Sequence, residues 1–204
     1  MTRRSTQPLS KEAQILKAAG EVFLEQGYGA ASMDAIAARA AISKATIYAH
    51  FNSKAELFAA LIRSRCAAEL DDRQPELVDA ADPPAALRAL GLQFWEMLTA
   101  PDVMAMHRVI LAEAPRQPEM GQAFYNAGPC MGLTILGAAF EQWDRAGLLS
   151  VPDPREAADM FLSLIRCDAY LRRLFDVPPD PTDPSPDRIV ARAVDSICKT
   201  FAAR

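Results

Sequence analysis

Apolar side chains recur every three or four positions along most of the chain, which is the spacing that one face of an α-helix requires. The clearest stripe lies between residues 11 and 26, where the apolar positions are Ala13, Ile15, Leu16, Ala19, Val22 and Phe23. No stretch shows the alternating, β-branched pattern typical of a strand. The pattern therefore predicts an all-α fold.

Short polar residues predict where the first helices begin. Ser10, Ser32 and Ser43 each precede an apolar-periodic segment, and Asn52 or Ser53 precedes a fourth, so we expect these residues to cap helices. Gly27 lies where the first helix should end in a left-handed residue. This spacing predicts three closely packed helices and a fourth that leads away from them.

Prolines divide the rest of the chain. The segment "DDRQPELVDAADPP" indicates a bend or linker, and "VPPDPTDPSPD" indicates a connector that cannot continue a helix. Helices are predicted near residues 84–99, 102–113, 117–127, 129–147, 154–175 and 186–201. We therefore expect a small N-terminal domain over residues 10–70 and a larger helical domain over residues 71–204.

The segment "KATIYAHF" has an unusual distribution of side chains for a helix. At helical spacing Ile47 and Phe51 share one face, as core residues do. Ala45 and Ala49 point the opposite way, and hydrogen-bonding side chains surround their methyl groups. Because long charged side chains usually occupy an outward face, this pattern favours a helix that approaches another macromolecule closely.

A DNA major groove would accommodate such a helix. Alanine methyl groups allow close approach and contact thymine methyls, while the surrounding polar groups suit phosphates and base edges. With its short link to "MDAIAARA", the segment forms a candidate helix-turn-helix. The candidate DNA-binding residues are Ser32, Ser43, Lys44, Ala45, Thr46, Tyr48, Ala49, His50 and Lys54. A three-helix bundle that binds no ligand would show the same periodicity and is the alternative.

Charge is unevenly distributed along the chain. The net charge is −4, but residues 1–55 hold seven Lys or Arg and four acidic residues. This N-terminal part therefore carries +3 and the remainder carries −7. A basic head on an acidic body suits a protein in which only the head meets a polyanion.

Several classes of site and location are disfavoured. The four cysteines are widely spaced and include no C-x-x-C pair, so we expect no metal site, no disulfide framework and no cofactor. The longest apolar run is too short to span a bilayer, and the first ten residues are polar. We expect a cytoplasmic protein that does not contact the membrane.

The stretch "GYGAASMDAIAARAAISKATIYAHFNSKAELFAAL" resembles the DNA-binding domain of TetR-family transcriptional regulators. The shared features are the Gly-x-Gly that ends helix one, the Ser-x-x-x-Ile-Ala that opens helix two, and Ser-Lys-x-Thr-Ile-Tyr-x-His-Phe followed by Lys54, Leu57 and Phe58. One position departs from the family pattern, because Ala41 stands where the turn commonly has glycine. A positive φ there would cost alanine ~1 kcal/mol.

The resemblance covers about residues 10–70, and "MAMHRVILAEAPRQPEMGQAFYNAGP" looks like the C-terminal region of an AefR-like subgroup. It implies a three-helix helix-turn-helix DNA-binding domain joined to a larger helical domain for ligand binding and dimerisation. It further implies a repressor that binds a pseudo-palindromic, double-stranded operator as a homodimer. A small-molecule effector, which the sequence does not identify, would release the DNA.

Residues 94–170 are rich in methionine and aromatic side chains, which suit a cavity for apolar ligands and equally suit a plain core. The candidate ligand-binding residues are Trp95, Met104, His107, Phe124, Met131, Phe140, Trp143, Arg166 and Tyr170. Arg166 interrupts an apolar face, so it either orients an anionic ligand or pairs with an acid such as Asp168.

The last two long helices predict a dimer interface through their apolar faces. Its candidate residues are Phe161, Leu164, Leu171, Val190, Val194, Ile197 and Phe201. Operator recognition favours a dimer, because one short reading helix contacts few base pairs and two half-sites give useful specificity. A monomer that folds both helices onto itself is the alternative.

Two other classes of function compete with DNA binding. An enzyme is disfavoured because the sequence holds no H-E-x-x-H, G-x-S-x-G, Walker or dinucleotide-binding motif, although a catalytic Cys130–His107 pair is chemically conceivable. A helical module that docks on protein is the second rival. Its binding would not weaken steeply with salt, whereas phosphate-driven binding would.

Overall fold

The computed structural model describes residues 10–69, 81–178 and 180–203, without the side chains of residues 66–69. Apart from an isolated bridge between Leu149 and Ala202, every regular element in these ranges is helical, which confirms the predicted all-α fold. The helices are α1 (Lys11–Ala30), α2 (Met33–Arg39), α3 (Lys44–His50), α4 (Lys54–Glu69), α5 (Pro83–Thr99), α6 (Pro101–Glu113), α7 (Pro118–Ala127), α8 (Pro129–Arg145), α9 (Pro154–Ile165), α10 (Asp168–Leu174) and α11 (Pro186–Thr200).

Serine side chains begin the first four helices, as the sequence predicts. Each serine Oγ accepts the backbone N–H three residues later, at 3.1 Å for Ser10 and Ser32 and at 3.0 Å for Ser43. Ser53, rather than Asn52, caps α4 at 3.1 Å. Each such cap typically contributes ~1 kcal/mol. The short helices α2 and α3 depend on these caps because they have few internal hydrogen bonds of their own.

Gly27 interrupts α1 without ending it. Its φ of 76° is positive, as predicted, but its ψ of 161° is extended rather than left-handed helical, and the helix resumes as far as Ala30. The neighbouring Gly29 has no room for a side chain, because a Cβ there would lie 3.0 Å from Oε2 of Glu113. The two glycines therefore let the chain turn tightly against this carboxylate.

The first compact unit contains residues 10–64 together with Val109–Ala127. Its centre is an aromatic cluster in which Phe23 stacks on Tyr28 at 5.4 Å between ring centroids. Phe58 meets both rings edge-on, at 5.4 Å and 5.3 Å. These rings are almost fully buried, and Ile15, Ile36 and Ile47 are equally inaccessible. Burial of aromatic and branched side chains from α1 to α4 thus fixes the positions of the short helices.

The second compact unit contains residues 65–108 and the described residues from Gly128 onward. Helix α9 packs against α8 and α11, and α11 also packs against α5. The close approach of α5 and α11 requires Gly91, because a Cβ there would lie 2.7 Å from Cγ1 of Val190 and 3.1 Å from Cζ of Phe161. The predicted domain boundary after residue 70 differs from this division, since Val109–Ala127 groups with the N-terminal helices.

The helix predicted over residues 154–175 is two helices. Helix α9 ends at Ile165, Arg166 adopts φ −78° and ψ 49°, and Cys167 is extended before α10 begins at Asp168. Neither proline nor glycine occurs between Ile165 and Asp168, so the local sequence gives no signal for the break.

Ala41 adopts a left-handed backbone in the α2–α3 turn, with φ 52°. Because a left-handed backbone is unfavourable for alanine but not for glycine, Ala41→Gly should raise the free energy of unfolding by about 1 kcal/mol. Urea denaturation would measure the change. Ala38→Gly, at an exposed position within α2, is the matched control and should lower stability by about 1 kcal/mol. A loss of stability in both variants would contradict the prediction.

Candidate nucleic-acid interface

Helix α3 exposes the surface that the sequence pattern predicted. Ile47 is fully buried and Phe51 is 5% exposed, so the inward pair anchors the helix in the first compact unit. Ala45 and Ala49 are exposed on the opposite side, and Tyr48 is 45% exposed beside them. The outward surface is therefore a pair of small methyl groups next to a phenol, without a long charged side chain between them.

Ser43 and Thr46 form a linked pair at the start of α3. The Ser43 Oγ accepts the Thr46 backbone N–H at 3.0 Å and lies 2.8 Å from the Thr46 Oγ1. Both hydroxyls are thus held in place before any partner arrives. Ser32 has the corresponding role at the start of α2.

Backbone and side-chain contacts fix the turn between α2 and α3. The N–H of Ile42 donates to the carbonyl of Ala37 at 3.1 Å, and the N–H of Ala41 donates to Ala38 at 3.2 Å. From α1, Nε2 of Gln14 donates to the carbonyl of Ala40 at 2.6 Å. Sequence periodicity did not indicate the role of Gln14, which satisfies a helix-end carbonyl from a distant segment.

Lys44 pairs with Asp34 in the first turn of α2. Their ammonium and carboxylate groups lie 2.9 Å apart, and both side chains are largely exposed. The hydrogen bond from Lys44 to Asp34 raises the pKa of the lysine. Asp34 was expected only to interact favourably with the positive start of α2, and its ion pair with Lys44 was not predicted. In the structure a carboxylate holds the cation that was expected to be available for phosphate.

Lys54 is directed into the protein rather than towards solvent. Its Nζ donates to the carbonyls of Tyr28 at 2.7 Å, Ala31 at 3.0 Å and Gly29 at 3.4 Å, and it lies 4.4 Å from the centroid of the Tyr28 ring. Burial lowers the pKa of this lysine. An ammonium group has three N–H donors, and three backbone carbonyls accept them here. The donors that were predicted to bind DNA phosphate therefore already have partners within the protein. Lys54 thus ties the start of α4 to the end of α1.

Arg39 of α2 binds two glutamates of α1, Glu21 and Glu25. Its guanidinium bonds both carboxylate oxygens of Glu25, at 2.9 Å and 2.5 Å, and also lies 3.2 Å from Glu21. The hydrogen bond from Arg39 lowers the pKa of Glu25. One of the basic residues counted in the head is therefore neutralised within the unit.

The predicted ligand-binding residues fall into two groups. Trp95, Met104, Phe140, Trp143 and Tyr170 are buried in the core of the second unit, and Met131, His107 and Arg166 are partly buried in the same unit. Phe124 instead belongs to the first compact unit. The aromatic pair Phe140–Trp143 has edge-on geometry at 5.4 Å, which is ordinary core packing.

His107 and Tyr170 form a polar pair inside the second unit. The phenol Oη lies 3.1 Å from Nδ1 of His107. Burial, together with the positive charge of Arg166, lowers the pKa of His107 to about 4. The imidazole is therefore neutral at pH 7. The sequence left open whether Arg166 pairs with an acid. In the structure it forms no ion pair with Asp168 or any other described carboxylate.

The predicted dimer residues also divide into two groups. The structure buries Phe161, Val190 and Ile197 completely in the core of the second unit, which removes them as direct contacts of a partner. Their apolar spacing reflects packing within the protomer. Leu164 and Leu171 are 40% and 45% exposed, whereas Val194 and Phe201 are partly buried against the core.

Two family models match the chain. Residues 15–61 match the model described as "Bacterial regulatory proteins, tetR family". Residues 85–203, more than half of the chain, match "AefR-like transcriptional repressor, C-terminal domain". The chain is a TetR-family transcriptional regulator. TetR-family regulators bind DNA and are not enzymes, which confirms the predicted family and class of function.

Curated relatives of this TetR-family regulator align with part of their length. The transcriptional activator FasR of Mycolicibacterium smegmatis is 51% identical over 53 residues, which are 26% of this chain and 24% of FasR. The transcriptional regulator UidR of Escherichia coli is 30% identical over 135 residues, which are 62% of this chain and 63% of UidR. The matches therefore span less than two thirds of either relative.

Solved structures of TetR-family proteins match almost the whole chain. A TetR-family regulator from Mesorhizobium loti has a TM-score of 0.77 and 25% identity, with 98% of this chain and 99% of that chain covered. The flavonoid-responsive regulator FrrA has a TM-score of 0.74 and 32% identity, with 95% of this chain and 98% of FrrA covered.

No helix among the described residues is long and apolar enough to cross a membrane.

Proposed function

We propose that this TetR-family regulator is a repressor that binds a pseudo-palindromic operator as a homodimer and is released by a small molecule. The observation that carries the proposal is the exposed face of α3, where Ala45, Ala49 and Tyr48 surround a fixed helix start. Small side chains permit the close approach that base-edge contacts need. Lys44, Thr46 and His50 flank this face and are assigned to phosphates and base edges, with Ser32 and Ser43 at the helix starts.

Operator binding by Tyr48→Ala tests the DNA-binding part of the proposal. Fluorescence anisotropy with the chain's own promoter DNA should show weaker binding by about tenfold, since a truncated base or phosphate contact typically costs 1–3 kcal/mol, about 5- to 150-fold. Tyr125→Ala, which removes a phenol of equal exposure outside α3, is the matched control and should bind as wild type. Equal affinity of wild type and Tyr48→Ala would refute the assignment of α3 to the groove.

Two similarities bear on the proposed repressor role. The model that matches residues 85–203 describes a transcriptional repressor. The activator FasR is similar over 53 residues only, so that likeness says little about the response to a ligand. The repressor assignment therefore has support from the longer match.

The similarity to the flavonoid-responsive regulator FrrA supports a small-molecule effector, because FrrA is 32% identical over nearly the whole chain. Methionine and aromatic side chains of the second unit, including Met104, Trp95 and Trp143, suit an adaptable apolar site. The effector must bind the DNA-released form better than the DNA-bound form, since only differential affinity shifts the equilibrium. Addition of the effector to a protein–operator complex should then lower the anisotropy.

We assign the dimer interface to the exposed apolar side chains of α9, of α10 and of Phe175, which directly follows α10. Met160, Leu164, Leu171 and Phe175 are 37%, 40%, 45% and 71% exposed, which is unusual for such large apolar groups in an unpartnered helix pair. A groove of about 410 Å³ adjoins Leu164 and continues along α11. A stable dimer typically buries ~800 Å² per subunit, and these side chains would form the apolar part of that surface.

Charged residues in this face should separate the subunits. We expect Leu164→Glu combined with Leu171→Glu to sediment as a monomer and to lose operator affinity by about 100-fold or more, because a single half-site supplies little of the binding free energy. Leu148→Glu changes an equally exposed leucine that precedes α9 and should remain dimeric. A dimeric double variant, or a monomeric wild type, would contradict the assignment.

Asp34 should restrain DNA binding through its pair with Lys44. Asp34→Asn removes a carboxylate from the proposed DNA face and releases the lysine, so operator affinity should rise by about threefold to tenfold at low salt. The gain should shrink as salt increases. Glu141→Gln, which breaks a similarly exposed pair with Arg145 on α8, should leave the affinity unchanged. A weaker complex with Asp34→Asn would show that the pair instead positions α3.

A further inference from the structure

Arg166 lies at a break between helices that the local sequence does not require. The break follows Ile165, and only the Nε of Arg166 is engaged, donating to the carbonyl of Leu162 at 3.3 Å. Irregular backbone without proline or glycine persists where surrounding structure imposes it, and such positions cluster at binding sites.

The guanidinium of Arg166 is unusual among the described arginines because it is partly buried and has no acidic partner. Arg172, the other partly buried arginine in the described ranges, lies 3.6 Å from a carboxylate oxygen of Asp183. Exposed arginines such as Arg39, Arg88 and Arg145 also have carboxylates. A partly buried charge without a counter-ion is costly, so this arrangement favours an anion supplied from outside the chain.

His107 and Tyr170 form a neutral hydrogen-bonded pair, and Tyr170 follows Arg166 by four residues at the start of α10. Their side chains are 3.1 Å apart, and the rings meet at 6.4 Å between centroids with edge-on geometry. The positive charge of Arg166 acts on both residues: it contributes to the lowered pKa of His107 and opposes the increase that burial causes in the pKa of Tyr170. Arg166 thus lies two residues before the helix that carries Tyr170, and its charge acts on the pair that Tyr170 forms with His107.

Tyr170 belongs to the apolar core of the second unit. Trp95, Met104 and Ile165 belong to the same buried core as Tyr170, and Met97 packs against that core from α5. Methionine side chains can rearrange around ligands of different shape at low cost. The surroundings thus suit the hydrocarbon part of a molecule whose polar end meets Arg166.

We infer that Arg166, Tyr170 and His107 form the headgroup site for an amphipathic carboxylate, and that this class of molecule is the effector. The inference rests on the proposed ligand response. A guanidinium binds a carboxylate through two parallel charge-assisted hydrogen bonds, which neither a neutral alcohol nor an ester can reproduce. The neutral imidazole and phenol add hydrogen bonds without a second charge, so a monoanion is favoured over a dianion.

Calorimetric titration of the full chain in the absence of DNA tests this inference. Two matched pairs of probes, decanoate against decanol and naphthoate against naphthol, separate an alkyl from an aromatic body while they compare the headgroups. Wild type should bind the carboxylate of at least one pair about tenfold or more tighter than its neutral partner. Arg166→Gln should lose this preference while its affinity for the neutral partner is unchanged, and Arg166→Lys should keep part of it.

Control variants separate the headgroup site from general effects. Arg145→Gln removes an exposed arginine of the same unit and should keep the preference of wild type. Tyr170→Phe should reduce the preference less than Arg166→Gln, because it removes a neutral hydrogen bond. Equal binding of carboxylate and neutral probes by wild type, absence of binding by every probe, or an unchanged preference in Arg166→Gln would each overturn the inference.

The same probes distinguish this inference from the proposed function. A carboxylate that binds with the expected preference but does not dissociate the operator complex would contradict release by effector and leave the headgroup site standing. Neutral probes that bind equally well and release DNA would contradict the headgroup site and leave the ligand response standing. The binding titration and the DNA-release assay therefore fail independently.

Discussion

Ala49→Glu should weaken specific operator binding by about 100-fold or more without changing the thermal unfolding temperature. Ala49 is exposed on the outward side of α3, where a methyl group permits close approach to base edges. Glutamate would add bulk in that contact and place a carboxylate among phosphates, and a like-charge contact of this kind costs several kcal/mol. Anisotropy at several salt concentrations would measure the loss.

Ala138→Glu is the matched control for this substitution. Ala138 is an exposed alanine of α8, so the change in size and charge is identical but lies in the second compact unit. We expect Ala138→Glu to bind the operator as wild type does. If both variants bind equally well, α3 does not enter the groove, and the exposed methyl face needs another explanation.

The second large effect concerns stability at acidic pH. The pKa of His107 is about 4 in the folded protein and 6.5 in the unfolded chain, because burial disfavours the charged imidazole. Between these values the unfolded chain binds a proton more readily than the folded protein does. The neutral imidazole of His107 therefore makes its full contribution to the free energy of unfolding above about pH 6.5, and this contribution is lost as the pH falls towards about 4. The expected loss of unfolding free energy between about pH 7.5 and about pH 4.5 is about 2–3 kcal/mol.

Urea unfolding of wild type and His107→Gln at these two pH values measures the contribution. Glutamine cannot take up a proton, so the unfolding free energy of the variant should fall by about 2–3 kcal/mol less than that of wild type over the same interval. His50→Gln, at an exposed histidine, should lose as much as wild type. The same pH dependence in wild type and His107→Gln would show that the imidazole is not buried in its neutral form.

Much of the first compact unit could be predicted from residues that are close in the sequence. Serine caps, the inward pair Ile47 and Phe51, and the outward Ala45 and Ala49 all follow from local chemistry and helical periodicity. Such features depend on neighbours within one or two helical turns, and a sequence states those neighbours directly. The cost at Ala41 was instead expected from the family resemblance, because this turn commonly has glycine, and the structure gives Ala41 a positive φ.

Contacts across the fold could not be predicted in the same way. The pair of Lys44 with Asp34 joins different helices, and Lys54 meets carbonyls of Tyr28, Gly29 and Ala31 more than twenty positions away. Nothing in the spacing of these residues distinguishes a lysine that is free for phosphate from one that already has partners. The helix break at Arg166 is similar, since no local residue type demands it.

The sequence by itself determined that this protein is helical, that its N-terminal part is a helix-turn-helix and that α3 presents small side chains outward, because helical periodicity and capping act over a few residues. Only the tertiary structure decided which apolar faces were already buried, as with Phe161 and Val190 against α5, and which remained exposed, as with Leu164 and Leu171. An amphipathic stripe specifies that a helix face will be covered. It does not specify whether the cover comes from the same chain or from a partner, since both bury the same kind of apolar surface.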